Sequence, residues 1–417
     1  MVDEVAPSAG AAVVDERDTA RAWVVAVAIA VSGGLTFGTA YTFGTFFDSM
    51  AEEFDAGRGS TALVFSFTLL LFFGTGVVSG PLSDRVGPRR LVAAGGVLLV
   101  LGLLATSRVE SLWLGYATYG IGVGFGSGLF VTPLYATAGR WFVRRRAMAL
   151  GVVSAGNGIG TLTLVPLSER IISSDGWRTA YVWLAVIDGI LLLGVIAAVR
   201  FPRTPESADA SPVAGPGFSV RATELREEAA FRTLVLVTVL ANISIFTAFA
   251  FVVPFAEDEG FSSSRAAVLV AVVGASSVLG RLAIGALAAR LSSVRLLQGS
   301  LMVQPVAYVV WLLGGDRYGL LVLFAVLLGI SYGGFVSLAP EVTVHLLGVV
   351  GLGTTFGLLF LATGLGGLIG PPIVGVLSDL SDGRAIPIGF VIGVTLATLT
   401  ASFRLPEQPH RQVPAAS

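Results

Sequence analysis

Long apolar runs, cut by short polar breaks, repeat along nearly the whole chain. They lie at about 22–47, 61–82, 90–107, 112–138, 147–169 and 178–199, then at 232–255, 265–289, 294–313, 319–340, 350–378 and 385–403. About 20 apolar residues carry an α-helix across a bilayer, so the pattern predicts twelve transmembrane helices. The longest polar connection, Arg200 to Arg232, falls mid-chain and holds Pro202, Pro205, Pro212 and Pro216, the composition of a linker. The expected fold is an all-α polytopic membrane protein with six-helix halves at 22–199 and 232–403, a linker at 200–231, and tails at 1–21 and 404–417. The first tail is small, polar and acidic, without the basic n-region of a secretory signal. The run from Ala22 therefore reads as a true first span.

Composition agrees with that solvent. Charged residues make up 13% and apolar ones 54%, with a mean hydropathy of +0.84; soluble domains carry roughly 25% charged residues. Cysteine is absent, which excludes disulfides and thiol chemistry. The two histidines, His345 in an expected loop and His410 in the second tail, have no metal-ligand company. No metal or cofactor is expected, and the lack of clustered His or Cys argues against a membrane enzyme. A net charge of −1 gives no reason to expect a nucleic-acid partner.

All 26 basic residues are arginine. With both tails on one side, 18 of them fall on that side, seven fall opposite, and Arg281 lies inside a span. Positive charge is retained on the cytoplasmic face, so both tails are expected in the cytoplasm of a cell-membrane protein.

Polar punctuation recurs between the halves. GPLSDRVGPRRL (80–91) aligns with GALAARLSSVRL (285–296), pairing Gly80 with Gly285, Arg85 with Arg290 and Arg90 with Arg295, while Asp84 meets Ala289. GVVSAGNGIGTLTLVP (151–166) aligns at nearly the same offset with GLLFLATGLGGLIGPP (357–372), matching Gly158 to Gly364 and Gly160 to Gly366. Two matches in equivalent spans indicate an internal duplication, the mark of a transporter with its site between two halves.

With twelve spans, a long central connection and GPLSDRVGPRR behind span two, the chain resembles the major facilitator superfamily. Its signature, roughly G-x-L-x-D-R-x-G-R-R, is met at Gly80, Leu82, Asp84, Arg85, Gly87 and Arg89; Pro88 departs from it and Arg90 follows as a spare. Three further stretches, 41–66, 140–160 and 174–183, look like the monocarboxylate transporter and oxalate/formate exchanger branch. The resemblance implies a cytoplasmic gate at Gly80, Asp84, Arg85, Gly87, Arg89 and Arg90, in which Asp84 latches the halves. The alternative is that these charges only signal topology.

Arg281 is the sharpest single residue. An arginine near mid-bilayer costs about 2.5–3.5 kcal/mol on insertion scales, so it should face the bundle interior or a cavity. Its fork matches a carboxylate bidentately, and the resemblance implies that it holds the substrate's carboxylate. A structural ion pair and snorkelling to the interface stay open. Two family features are missing: Ser277 stands where animal members carry an Asp one turn before the Arg, and Tyr41 where they carry a span-one Lys. One central cation favours a monoanion. Tyr332, Tyr41, Tyr119 and Asn157 are the further candidates for lining the site, with helix–helix glue as the alternative role. Asp188, mid-span in helix six, and Glu341, after Pro340, are the proton-coupling candidates, with a structural hydrogen bond to a neighbouring helix as the alternative for Asp188 and an interface role for Glu341; Glu169 with Arg170 reads as an outer-face pair.

These readings converge on a secondary transporter moving a small organic anion by alternating access, as proton symport or anion exchange, and working as a monomer in the lipid bilayer. The alternative is a drug or metabolite exporter of the same fold, in which Arg281 is structural.

Overall fold

The computed structural model describes residues 16–142, 145–202, 218–287, 291–348, 352–381 and 383–407. The outermost tails with His410, most of the linker, Arg144 and the side chain of Asp84 lie outside that description.

Among the described residues twelve long helices run up and down. The first half holds α1 (Ala20–Glu53), α2 (Arg58–Val86), α3 (Pro88–Thr106), α4 (Leu112–Trp141), α5 (Arg146–Asp175) and α6 (Trp177–Ala198). The second holds α7 (Ala229–Asp258), α8 (Ser263–Leu287), α9 (Ser293–Gly314), α10 (Tyr318–Leu347), α11 (Leu352–Leu380) and α12 (Ala385–Ser402). Among the described residues eleven are long and apolar enough to cross a membrane. The twelfth, α5, is 30 residues long with charge toward both ends. The start of α1 and the end of α12 share one face of the bundle, here the tail face; the other is the distal face.

Several helices outrun their apolar stretches. α10 continues through Pro340 to Leu347, so His345 lies in its last turn, not in a loop, with Nε2 3.2 Å from the Glu407 carbonyl oxygen. At 1.5 Å per residue, a 30-residue helix is about 45 Å long and reaches beyond the hydrocarbon layer. The central connection is also not all linker, since Phe218–Glu227 forms a short helix.

The halves meet along two seams, α2 against α11 and α5 against α8. The internal duplication equates α2 with α8 and α5 with α11, so one seam is the repeat image of the other. The matched glycines explain the packing. Gly160 lies directly against the Gly34 backbone of α1, and a Cβ on its counterpart Gly366 would stand 2.6 Å from the Val239 oxygen of α7. Gly158 and Gly364 face the opposite half instead, toward Gly274 of α8 and Leu70 of α2. Of the two matched glycines in each fifth helix, one thus faces its own half and the other faces the opposite half.

At the tail face the Gly87 φ of +84° turns α2 into α3, and Gly87 N–H donates to the Ser83 oxygen at 2.8 Å. Pro88 opens α3 at its first position, where a missing N–H is tolerated. This accounts for the departure from the family signature. Arg85, Arg89 and Arg90 are exposed there, and a Cβ on Gly80 would meet nothing within 4 Å. Nearby, Arg295 and Glu407 pair at 2.7 Å, and the guanidinium holds the Glu407 carboxyl below its usual range.

Candidate functional site

Arg281 of α8 is 9% exposed and reaches across the seam, donating from Nη1 to the Ser154 carbonyl oxygen of α5. Its Nε and Nη2 are buried and have no hydrogen-bond partner among the described residues. None of the ion pairs formed by those residues includes Arg281. Nε and Nη2 lie on one edge of the guanidinium and donate in parallel, which is the geometry that grips both oxygens of a carboxylate. Serine in place of an acid one turn earlier supplies no substitute: the Ser277 hydroxyl donates to the Gly274 oxygen of its own helix at 2.7 Å.

An aromatic layer borders the guanidinium. The Tyr332 ring centroid is 5.8 Å from the Arg281 guanidinium carbon. The Tyr332 and Tyr41 hydroxyls are 3.0 Å apart. Tyr41 stacks on Phe249 of α7 at 3.8 Å and 11°, and Phe249 meets Tyr332 edge-on at 5.7 Å. On the other side Asn157 of α5 and Tyr135 of α4 are joined, with the Asn157 amide nitrogen 3.0 Å from the tyrosine oxygen. Tyr135 lies within electrostatic reach of both Arg281 and Tyr332. Arg281, Tyr332, Tyr41 and Asn157 are thus brought together, with Ser154, Tyr135 and Phe249 as members that the sequence reading missed.

The Major Facilitator Superfamily profile matches residues 29–317. Monocarboxylate transporter 11 of Homo sapiens is 33% identical over 371 residues, covering 86% of this chain and 77% of that protein. The chain belongs to the major facilitator superfamily, in its monocarboxylate transporter branch. Monocarboxylate transporter 3 of Rattus norvegicus is 31% identical over 86% of the chain and 74% of its own length. For monocarboxylate transporter 4 of Gallus gallus the figures are 27%, 98% and 90%. Among solved structures, a bacterial homologue of the human lysosomal transporter Spinster, described as inward-facing and unoccupied, superposes with a TM-score of 0.67 at 16% identity, over 93% of this chain and 95% of that one. The protein is therefore a multi-pass membrane transporter for a small molecule.

Two of the transporter's predicted residues form a separate group inside the first half. Tyr119 is fully buried and donates to the Thr39 oxygen at 3.1 Å. The Thr39 hydroxyl donates to Asp188 Oδ2 at 2.9 Å, and Asp188 Oδ1 has no partner among the described residues. The two groups meet on different faces of α1: Tyr119 and Asp188 bond to Thr39, whereas Tyr41, two residues on, points to Tyr332. α4 and α8 both run from the distal to the tail face; Tyr119 is 7 residues into α4, whereas Tyr135 and Arg281 are 23 and 18 residues into their helices. The 16 residues between the two tyrosines amount to about 24 Å of helix. Comparing depths along these parallel spans is the signal that picks Tyr135.

Glu341 is exposed at the tail face, accepting from the Ser293 hydroxyl at 2.5 Å. Glu169 and Arg170 do not form the expected outer-face pair: Glu169 is buried and Arg170 exposed, because consecutive helical residues point in different directions.

Proposed function

We propose that this protein is a secondary transporter of a small monocarboxylate, which binds through its carboxylate to Arg281 while the halves alternate around it. The observation that carries this reading is the buried, unpartnered Nε/Nη2 edge of Arg281. Leaving two guanidinium donors unmet in an apolar bundle is costly, and a carboxylate meets both together. The hydroxyls of Tyr332 and Tyr41, the Asn157 amide and the Tyr135 hydroxyl offer further hydrogen bonds to a small polar acid. The names of the relatives support the same substrate class. The arginine distribution supports cytoplasmic tails in a cell membrane.

Transport is by proton symport or by anion exchange. Asp188 is the group we assign to proton carriage in the first case, since it is buried and half-partnered, whereas Glu341 faces the aqueous surface.

The test is uptake of labelled lactate and pyruvate into proteoliposomes with and without an inward proton gradient. Arg281→Gln removes the charge and lowers uptake at least tenfold, the loss expected when a charge-assisted bidentate contact of about 1.5–3 kcal/mol is removed. Arg281→Lys restores little of it, because a point charge cannot present two parallel donors. Asp188→Asn abolishes the gradient dependence of a symporter while leaving exchange intact; an exchanger is indifferent to it. Full activity in folded Arg281→Gln protein removes the carboxylate assignment and leaves the exporter reading.

A further inference from the structure

The distal ends of the halves are tied together at a point the signature motif does not cover. The first residue before α2 is Gly57, in extended conformation with φ −63° and ψ 158°, and it has no side chain with which to cap the helix. The cap comes from the other half. Asp379, in the last turn of α11, accepts from Arg58 N–H through Oδ1 at 3.0 Å and from Gly59 N–H through Oδ2 at 3.1 Å. A carboxylate on the first free amides of a helix is favoured by both hydrogen bonding and the helix dipole.

The surroundings make room for it. A Cβ on Gly57 would stand 2.9 Å from Asp379 Oδ2, and one on Gly375 would stand 2.7 Å from the Gly59 backbone. Beside the cap, the Arg58 guanidinium pairs with Asp258 of α7 at 2.5 Å, another cross-half contact. Asp48 of α1 and Glu257 of α7 meet carboxyl to carboxyl next to that pair.

The local sequence repeats as well. GVLSD (375–379) ends α11 as GPLSD (80–84) ends α2. The two helices pack against each other and run in opposite directions, so each pentapeptide lies beside the start of the other helix, one on each face. We propose that Asp379 is a gating residue, the distal counterpart of Asp84, which holds the distal face closed by capping α2 and must let go for that face to open. The two latches oppose one another: parting the distal ends of α2 and α11 breaks the Asp379 contact while bringing their tail ends together. Nothing in this assignment depends on which substrate is carried.

The test measures the distance between spin labels at Glu110→Cys and Asp316→Cys, exposed residues of distal loops in the two halves. The chain has no native cysteine to interfere. In full-length protein reconstituted without substrate, Asp379→Ala is expected to raise the ratio of long to short distances about fivefold, the factor a helix cap is worth. The double variant Asp379→Ala with Gly57→Ser gives α2 a cap of its own without joining the halves. A gating role predicts that the long-distance population persists in the double variant. An unchanged distribution in Asp379→Ala, or a shift that Gly57→Ser reverses, overturns the proposal, the second outcome showing that the aspartate only stabilised the end of α2. Monodisperse elution of each variant establishes that the distances come from folded protein.

Discussion

The buried Arg281 guanidinium joins the two halves and keeps two of its three nitrogens free. The Nη1 contact to the Ser154 oxygen fixes the plane of the Arg281 fork, so the free edge is oriented before any ligand arrives. The Tyr332 ring lies beside the guanidinium, and its hydroxyl shares a hydrogen bond with that of Tyr41. Tyr332→Phe is expected to raise the KM for a hydroxy acid several-fold, the effect of losing a hydrogen bond worth about 0.5–1.5 kcal/mol, with a smaller change for an acid that has no second oxygen function. Concentration dependence of uptake for the two classes of acid checks this. Arg281 stood out in the sequence because a charge inside an apolar span needs a reason. Tyr135 did not, because a tyrosine near a span end is unremarkable until helix direction and depth are compared. Tyr119 drew attention by residue type alone, and it bonds to Thr39 inside the first half and not to the Tyr41 side of α1.

The helices were legible because hydropathy sets where a chain crosses a membrane, and the duplication gave their grouping. Their ends were less so: α1 runs on to Glu53 and α10 to Leu347, past the apolar stretches, since a helix continues into the interface as long as no residue stops it. What the glycines do was hidden too, for a spacing does not say which neighbour is close. The α1–α5 seam is the tightest example. Gly160 lies on the Gly34 backbone, Gly156 on that of Ala30, and a Cβ on Gly34 would stand 2.9 Å from the Gly156 oxygen. Gly160→Val inserts three carbons where two backbones touch. Overpacking of this kind costs about 1–3 kcal/mol or more, so the variant is expected to unfold at lower temperature in detergent than Gly151→Val, whose site is open. Equal melting temperatures would contradict backbone contact at this seam.

At the scale of the molecule, the two halves meet along two repeat-related seams, and in the transport cycle proposed above they rock about these seams with the Arg281 edge at the crossing. The signature motif raised the expectation of a gate, and its described residues lie on the tail face. The distal gate was not foretold, since Asp379, Asp258 and Arg58 gain meaning only from the contacts between halves.

Between the Tyr41–Phe249 stack and the distal water, α1 continues for twelve residues to Glu53, about 18 Å of helix. Along that length Phe47 meets Phe251 at 5.2 Å and Gly44 lies against the Phe249 backbone. The buried Phe43, Phe46, Phe47 and Phe251 make the inner turns of that length apolar, and an ion must shed hydration to pass them. An idle carrier therefore does not short-circuit the gradient that powers its neighbours: vesicles loaded with a pH-sensitive dye should lose an imposed proton gradient no faster with this protein than without it, until substrate is added.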